Sequence, residues 1–373
     1  MVKASKFCNL RCAYCYEWNS LSDRSRISID GWERILRAIR SYHLMLEQQL
    51  GVDVQSRLIW HGGEPLALPI TYLDRAMALQ HEMLQDLNHR ILVQSNLYRL
   101  TDEMLYLLKR HDVGLGVSMD VIGGVRRDVR RNETEDAVVA NLDLLERRGV
   151  GYGAITVLAK HNHRQLKAVH DFWANRRIDF RILPLFEGPD SRPEGLFEVS
   201  DDDLAVAMCD LFDHWIENGA VIDVLPLSEW LQNVLRKILK QRRPVYDRRS
   251  RGESVLLVET SGDLYQTDER GDPALRLGNV MTQTIEQILA SESYNESLNR
   301  TDQKTERFCQ RCSHYGFCNG YPVHAEPFTV APSVGCPITT AVHDHIERYL
   351  LETGYDALAL AGLLQPEPRE WPV

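Results

Sequence analysis

The 373-residue chain has no run of about twenty apolar residues able to cross a bilayer, and its first twenty positions carry cysteines and charges where a signal peptide needs an apolar core. A membrane-embedded or exported protein is therefore not expected, and the reading is cytoplasmic. Positive charge is not in excess either: 43 Lys and Arg stand against 53 Asp and Glu, a formal net charge of −10. That balance argues against a protein that follows nucleic-acid backbone or anionic lipid through a basic surface, although "VRRDVRR" at 125–131 is a local basic patch. The 8 cysteines are far too few for a disulfide scaffold. Low-complexity segments are missing, as are repeats beyond a strand–helix periodicity. What remains is the composition of an ordinary globular protein, 44% hydrophobic and 26% charged.

The cysteines that are present are not scattered. Three fall within 8–15 and four within 309–336, and in a reducing compartment such clustering points to metal. Candidate strands lie at 2–6, 57–60, 91–94, 113–118, 152–158 and 179–183. Segments of helical periodicity separate them, such as 30–48, where Trp32, Ile35, Leu36, Ile39, Tyr42 and Leu46 share a face. This alternation predicts an α/β fold with a parallel sheet and right-handed crossovers; six units make a partial (β/α)6 TIM-like barrel, short of the full eight. The expected divisions are a barrel over 1–200, a helical linker over 201–249, a small domain of short strands and loops over 250–345, and a helix end and tail over 346–373. "HNH" at 161–163 reads as a loop with Asn162 as an N-cap, and Cys209 as a buried core thiol.

Cys8, Cys12 and Cys15 form a C-x3-C-x2-C pattern directly after the first strand. A structural zinc site would need a fourth nearby ligand, and the nearest histidine, His43, lies on the helical stretch. Three cysteines on one loop suit instead a 4Fe–4S cluster with three irons held and the fourth open.

Here the sequence resembles the radical S-adenosylmethionine (SAM) superfamily, whose signature C-x3-C-x-aromatic-C has Tyr14 in its aromatic place. The resemblance implies that SAM chelates the open iron and is cleaved by an electron from the cluster to methionine and a 5′-deoxyadenosyl radical. "HGGEP" at 61–65 matches the family's Gly-Gly-Glu motif, in which Gly62 and Gly63 allow close approach of backbone and Glu64 pairs with the SAM ammonium. "QSN" at 94–96 and "VSMD" at 117–120 match two further motifs, with Leu97 and Val121 where relatives carry Gly. They bring Asn96, Ser118 and Asp120 toward SAM or substrate. Arg130, twelve residues after Ser118, is the implied partner of the SAM carboxylate; a solvated charge in a basic loop is the alternative.

Spacing alone leaves zinc and iron–sulfur both open for Cys309, Cys312, Cys318 and Cys336. The arrangement resembles the C-terminal SPASM-type iron–sulfur domain of peptide-modifying radical SAM enzymes. That resemblance makes these four the complete ligand set of one auxiliary cluster, while Thr267 and Pro322 stand where ligands of another would be. Two 4Fe–4S clusters are expected, one binding SAM and one auxiliary. Asp268 matches an aspartate that accepts a substrate proton in anaerobic sulfatase-maturating enzymes, with an exposed turn residue as the alternative.

The resemblance implies an enzyme: a radical SAM peptide maturase that abstracts a hydrogen, from a β-carbon, of a ribosomally made precursor peptide and installs an oxidative crosslink such as a cyclophane. "FCNLRCAYCYEWNSLSDRSRIS" and "IWHGGEPLALPITYL" carry the likeness to the subgroup that matures glycine-rich peptides. Formylglycine formation and epimerisation are the enzyme alternatives. An iron–sulfur or zinc-binding interaction protein is the alternative of another class. Implied partners are the precursor peptide and a reductant such as flavodoxin or ferredoxin. Because the chain starts at its first strand, leader recognition is expected to use the barrel surface or a separate protein.

Overall fold

The computed structural model of the chain describes residues 1–185, 197–242, 255–266, 272–318, 336–354 and 356–363. The strand–helix alternation is as the periodicity predicts: β1 (Val2–Ser5), α1 (Ile29–Leu50), β2 (Ser56–Gly62), α2 (Ile70–Leu84), β3 (His89–Ser95), α3 (Asp102–Arg110), β4 (Gly114–Ser118), α4 (Glu135–Arg147), β5 (Tyr152–Leu158), α5 (Leu166–Arg176) and β6 (Phe180–Pro184). Then follow α6 (Asp201–Glu217), β7 (Val224–Leu225), α7 (Leu227–Ile238), β8 (Leu256–Val258), β9 (Asp263–Gln266), β10 (Gly278–Asn279), α8 (Ile285–Leu289), α9 (Glu292–Lys304), α10 (Pro337–Glu352) and α11 (Ala357–Leu363).

Local chemistry sets these elements. Helix α1 starts at Ser28, whose hydroxyl accepts from the Gly31 amide at 3.0 Å, and stops at Gly51 in the left-handed region at φ 66. Its apolar face lays Trp32 against Trp60 of β2, ring centroids 4.2 Å apart. Both indole N–H groups are satisfied on α2: Trp32 donates to the Ala76 carbonyl and Trp60 to Gln80 Oε1, each at 3.1 Å. Two large rings are thereby buried without a stranded donor. Since Trp60 faces the helices, strand alternation turns Ile59 and His61 of β2 to the inner face, and with them Lys3, the register partner of His61 on β1.

All the strands join one sheet in the order β10-β9-β8-β1-β2-β3-β4-β5-β6-β7. Strands β1 to β7 run parallel, β8 is parallel to β1 through Val2 and Val258, and β9 and β10 alternate antiparallel beyond it. The sheet therefore runs through the divisions drawn at 200 and 249 from sequence texture. On the other side α10 packs on α6 and α7, tied by Lys237 to Glu347 and His345 to Asp213, each at 2.6 Å. The carboxyl ends of the parallel strands share one edge, where such sheets build their sites.

Candidate active site

The loop that leaves β1 is clamped by the turn after β2. Gly63 N donates to Ser5 O and Glu64 N to Phe7 O, both at 2.9 Å. A Cβ on Gly62 would stand 2.1 Å from the Ser5 carbonyl oxygen, and one on Gly63 2.3 Å from those of Lys6 and Phe7. Gly62 also adopts φ 124. The two glycines are thus demanded by the chain's own backbone, which lies directly on them.

Beyond the clamp stand Cys8, buried, and Cys12 and Cys15, half-buried, all free thiols. The Leu10 amide donates to Cys8 Sγ at 3.3 Å and Asn96 Nδ2 donates to it at 3.6 Å. Burial, then the neighbouring Glu64, pushes the Cys8 thiol up to about 12; burial, then Cys12, does the same to Cys15. Metal binding must therefore expel protons from these sulfurs. Three convergent sulfurs, with hydrogen-bond donors aimed at one of them, fit a cluster held by three ligands and tuned by donors to sulfur.

Glu64 is buried and held by the ends of two strands. Its Oε1 accepts from the Leu66 amide at 2.9 Å and Ser95 Oγ at 2.8 Å, and its Oε2 from the Asn96 amide at 2.7 Å. Three protein donors hold the carboxylate and so fix the ends of β2 and β3 together, two on Oε1 and one on Oε2. Burial raises its pKa against the pull of the Asn96 and Leu66 amides. Asn96 is held in turn by Asn9 Oδ1 at 2.8 Å. Ser118 Oγ accepts from Gln94 Nε2 at 2.8 Å. The two positions where relatives carry Gly, Leu97 and Val121, have φ 51 and 66, so the left-handed conformation is kept here at the expense of strain.

Asp120 is buried and organises the far side of the loop. Its carboxylate accepts from the Tyr14 hydroxyl and, at 3.1 Å, from the Val157 amide. Burial, reinforced by Asp120, holds Tyr14 in its neutral phenol form far above the ordinary range. Arg126 lies 4.0 Å and His161 3.8 Å from the same carboxylate, and the His161 ring stacks on Tyr14 with centroids 5.9 Å apart. Arg126 is buried, and although burial opposes its charge, Tyr14, Cys12, Asp120 and Cys8 together raise its pKa. Arg130 is exposed, its amide donating to Asp128. The guanidinium that the structure brings beside the cysteines is thus Arg126, not Arg130. The cause is an antiparallel contact in which Arg11 N donates to Arg127 O at 2.6 Å and Ala13 N to Val125 O at 2.8 Å. Asn162 stands at the N-cap of the short 3-10 turn His163–Gln165, as expected, but its side chain makes no capping bond and locks the preceding loop, accepting from the Ala159 amide and donating to the Val157 carbonyl.

The second cysteine set comes from two elements. Cys309 ends the π-helical turn Thr305–Cys309 that prolongs α9; Cys312 N donates to Cys309 O at 2.9 Å and Cys318 N to His314 O at 3.1 Å. Cys336 caps α10, just ahead of Pro337. Burial, then Cys318, Cys309 and Cys312, pushes the Cys336 thiol up to about 12, so the four sulfurs share one electrostatic neighbourhood. That donor set fits a closed four-cysteine site. Cys209 is half-buried on α6, packed on the main core, with its thiol pushed up by burial to about 11. Asp268, Thr267 and Pro322 lie outside the described residues.

The comparisons with known proteins agree with this geometry. The model of the radical SAM superfamily matches residues 2–172, and that of the SPASM iron–sulfur cluster-binding domain residues 250–313. A serine-type anaerobic sulfatase-maturating enzyme of Bacteroides thetaiotaomicron is 24% identical over 345 residues, covering 86% of this chain and 81% of that protein. A cysteine-type counterpart from Clostridium perfringens is 22% identical over 341 residues, covering 85% and 86%. A solved structure described as native anSMEcpe with bound AdoMet and Cp18Cys peptide superposes with a TM-score of 0.75 at 18% identity, covering 98% of each chain, a likeness of fold. Residues 2–172 thus match the radical SAM superfamily and residues 250–313 the SPASM domain: the protein is a radical SAM enzyme of the maturase type, and its cofactors are SAM and iron–sulfur clusters.

Proposed function

We propose that the protein oxidises a side chain of a ribosomally made precursor peptide at the mouth of its barrel and closes the product into a crosslink of the cyclophane kind. The observation that carries the reading is the pairing of an open three-cysteine set at the sheet's carboxyl edge with a closed four-cysteine set at the start of α10. When bound, the cluster on Cys8, Cys12 and Cys15 together with SAM supplies the electron and the carbon radical that removes a substrate hydrogen. The chain's own residues hold the rest in place. Leu10 N and Asn96 steady Cys8, Gly62 and Gly63 close the loop on its neighbour, and Glu64 pins two strand ends. Tyr14, Asp120, Arg126 and His161 form the polar wall beside Cys12. Cys309, Cys312, Cys318 and Cys336 would hold one auxiliary cluster, for a total of two, and that cluster would accept the electron released as the crosslink closes. Asp268, two residues past β9 in sequence, accepts the substrate proton. A flavodoxin or ferredoxin serves as reductant.

The sulfatase-maturating relatives favour a second reading, oxidation of a Ser or Cys side chain to formylglycine. The two separate in one experiment. The anaerobically reconstituted protein is assayed for iron, sulfide and 5′-deoxyadenosine, then co-expressed with a library of randomised short peptides containing Ser, Cys and aromatic residues. Loss of two hydrogens without hydrazide reactivity marks a crosslink; a hydrazide-reactive product marks the aldehyde. A fully loaded protein that never cleaves SAM would sink both.

A further inference from the structure

The segment 125–131 lies over the cysteine loop, and its exposed side is basic. Leu10 bridges antiparallel to Asp128, next to the bond from Arg11 N to Arg127 O. Arg11 folds its guanidinium back onto the cysteine loop, donating to the carbonyls of Cys8 at 2.9 Å and Leu10 at 2.6 Å. Tyr98 packs on Cys8, Leu10 and Leu21, and its hydroxyl donates to Asp128 Oδ2 at 3.2 Å. Burial and the bond to Asp128 raise the Tyr98 phenol, whereas Arg99 and Arg130 oppose that shift, which places both guanidiniums beside the ring.

Arg99, Arg130 and Arg131 are exposed, and among the described residues none of their side chains makes a hydrogen bond or ion pair within the protein. The carboxylates of the segment do not answer them. Asp128 is buried and turned inward, accepting from Tyr98, Asn132 and the Arg130 amide, and Glu133 pairs with Arg127 at 3.4 Å. Unpaired cations held together repel one another, and here they gather on a chain whose formal charge is −10. Their position supplies a use. Tyr98 and Leu10 are all that stands between this surface and Cys8 in that packing, so a molecule docked here comes within one side chain of the SAM-cluster loop.

We propose that this surface docks an acidic electron-carrier protein, flavin- or iron–sulfur-based, which reduces the SAM cluster across the Tyr98–Leu10 layer. This rests on the reading above in which a protein reductant feeds the enzyme. In each encounter the carrier is oxidised by one electron and the cluster on Cys8, Cys12 and Cys15 is reduced by one; no bond forms or breaks and no proton moves. Exposed charges of this kind steer a partner of opposite sign and set its rate of association, an effect that salt screens. The arginine side chains themselves touch neither the sulfurs nor a bound SAM, so changing them alters docking and leaves the cluster intact.

The test compares anaerobically reconstituted wild type with the double variants Arg99→Glu, Arg131→Glu and Arg99→Lys, Arg131→Lys. Iron content, the SAM-induced shift of the reduced cluster's EPR signal and reduction by photoreduced deazariboflavin, a small uncharged donor, are expected to be equal in all three. Against that background, the second-order rate of cluster reduction by an acidic flavodoxin or ferredoxin, followed by stopped flow at low salt, falls about tenfold in the Glu variant. The Lys variant stays within a few-fold of wild type, and the gap closes as salt is raised. Equal carrier rates in wild type and the Glu variant overturn the proposal, as does a loss that extends to iron content or to reduction by the small donor. A peptide KM that rises while the carrier rate holds assigns the surface to substrate and overturns it too. Wild type that is reduced by deazariboflavin and cleaves SAM, yet takes electrons from neither carrier, removes the protein-reductant reading and this inference with it, leaving the radical SAM chemistry standing.

Discussion

Lys3 in the first strand and Glu259 just after β8 meet at 2.6 Å across 256 residues of chain, and the same ammonium holds Glu17 of the cysteine loop. One buried cation therefore fastens the loop of the SAM cluster to the hairpin β8–β9 of the C-terminal region. Removing one partner of a buried pair leaves an uncompensated charge, at a cost of about 3–5 kcal/mol. Lys3→Met is expected to lower the melting temperature and to reduce iron at Cys8, Cys12 and Cys15, since Glu17 and Glu259 are left facing each other. The combined Lys3→Met, Glu17→Gln, Glu259→Gln variant should regain most of that stability. Thermal melts of the three proteins check this; a triple variant no more stable than the single one refutes it.

Gly63→Ala is expected to empty the first cluster selectively. The added methyl would lie 2.3 Å from two backbone carbonyl oxygens, which cannot rotate aside as a side chain would. The clamp on Phe7 opens and Cys8 leaves its place. Cys309, Cys312, Cys318 and Cys336 are built on other elements, so iron content should fall by about half, the share of one of two equivalent clusters. Iron and sulfide quantitation with EPR reads the outcome. Full iron loading in the variant would refute the account.

Much of this was legible beforehand, and what was not has physical causes. The first six strands stood out because each is flanked by a helix of clear period. Short strands were expected after 250, but β7, β8 and β10 are only two or three residues long, too short for their pattern to tell that they extend the sheet of the first half. Gly62 and Gly63 were recognisable as a motif, but a motif does not say that Ser5, Lys6 and Phe7 press on them. Among the four arginines of 126–131, nothing in composition distinguishes the buried Arg126 from the exposed Arg130. That distinction comes from the strand-like contact of 125–127 with 11–13, a pairing over more than a hundred residues. His61 and His161 lie at strand ends and loops, where a single histidine carries no periodic signal.

Acid should destabilise the C-terminal region through His343. Burial, then His314 and Lys237, pushes this imidazole from 6.5 down to about 3, and its ring sits edge-on to Trp230. The folded protein thus keeps it neutral where the unfolded chain takes up a proton. Its contribution is present in full above pH 6.5 and is lost as pH falls toward 3, by a few kcal/mol over that window. Melting temperature against pH should be flatter in His343→Phe than in wild type below pH 6.5, with the two curves parallel above it. Parallel curves throughout would exclude His343 as a source of the acid sensitivity.

His161 should matter for SAM binding, for a reason that the cysteines alone do not give. Its side chain is only 10% exposed, and neither ring nitrogen has a hydrogen-bond partner, although the ring is stacked on Tyr14 and its Nε2 lies 3.8 Å from Asp120. Tyr14 sits between Cys12 and Cys15, so the imidazole stands directly beside the loop that holds the cluster. Burial lowers its pKa against the pull of Asp120, and a neutral ring is left with one donor and one acceptor for a bound group. His161→Ala should weaken SAM binding about tenfold, as expected for the loss of one hydrogen bond. Iron content should stay at the wild-type level, because no sulfur depends on that ring. His161→Asn, keeping a donor and an acceptor on a shorter arm, should recover part of the loss. Equilibrium dialysis of SAM against the reconstituted proteins measures all three, and equal affinity in wild type and His161→Ala would remove His161 from the cofactor site.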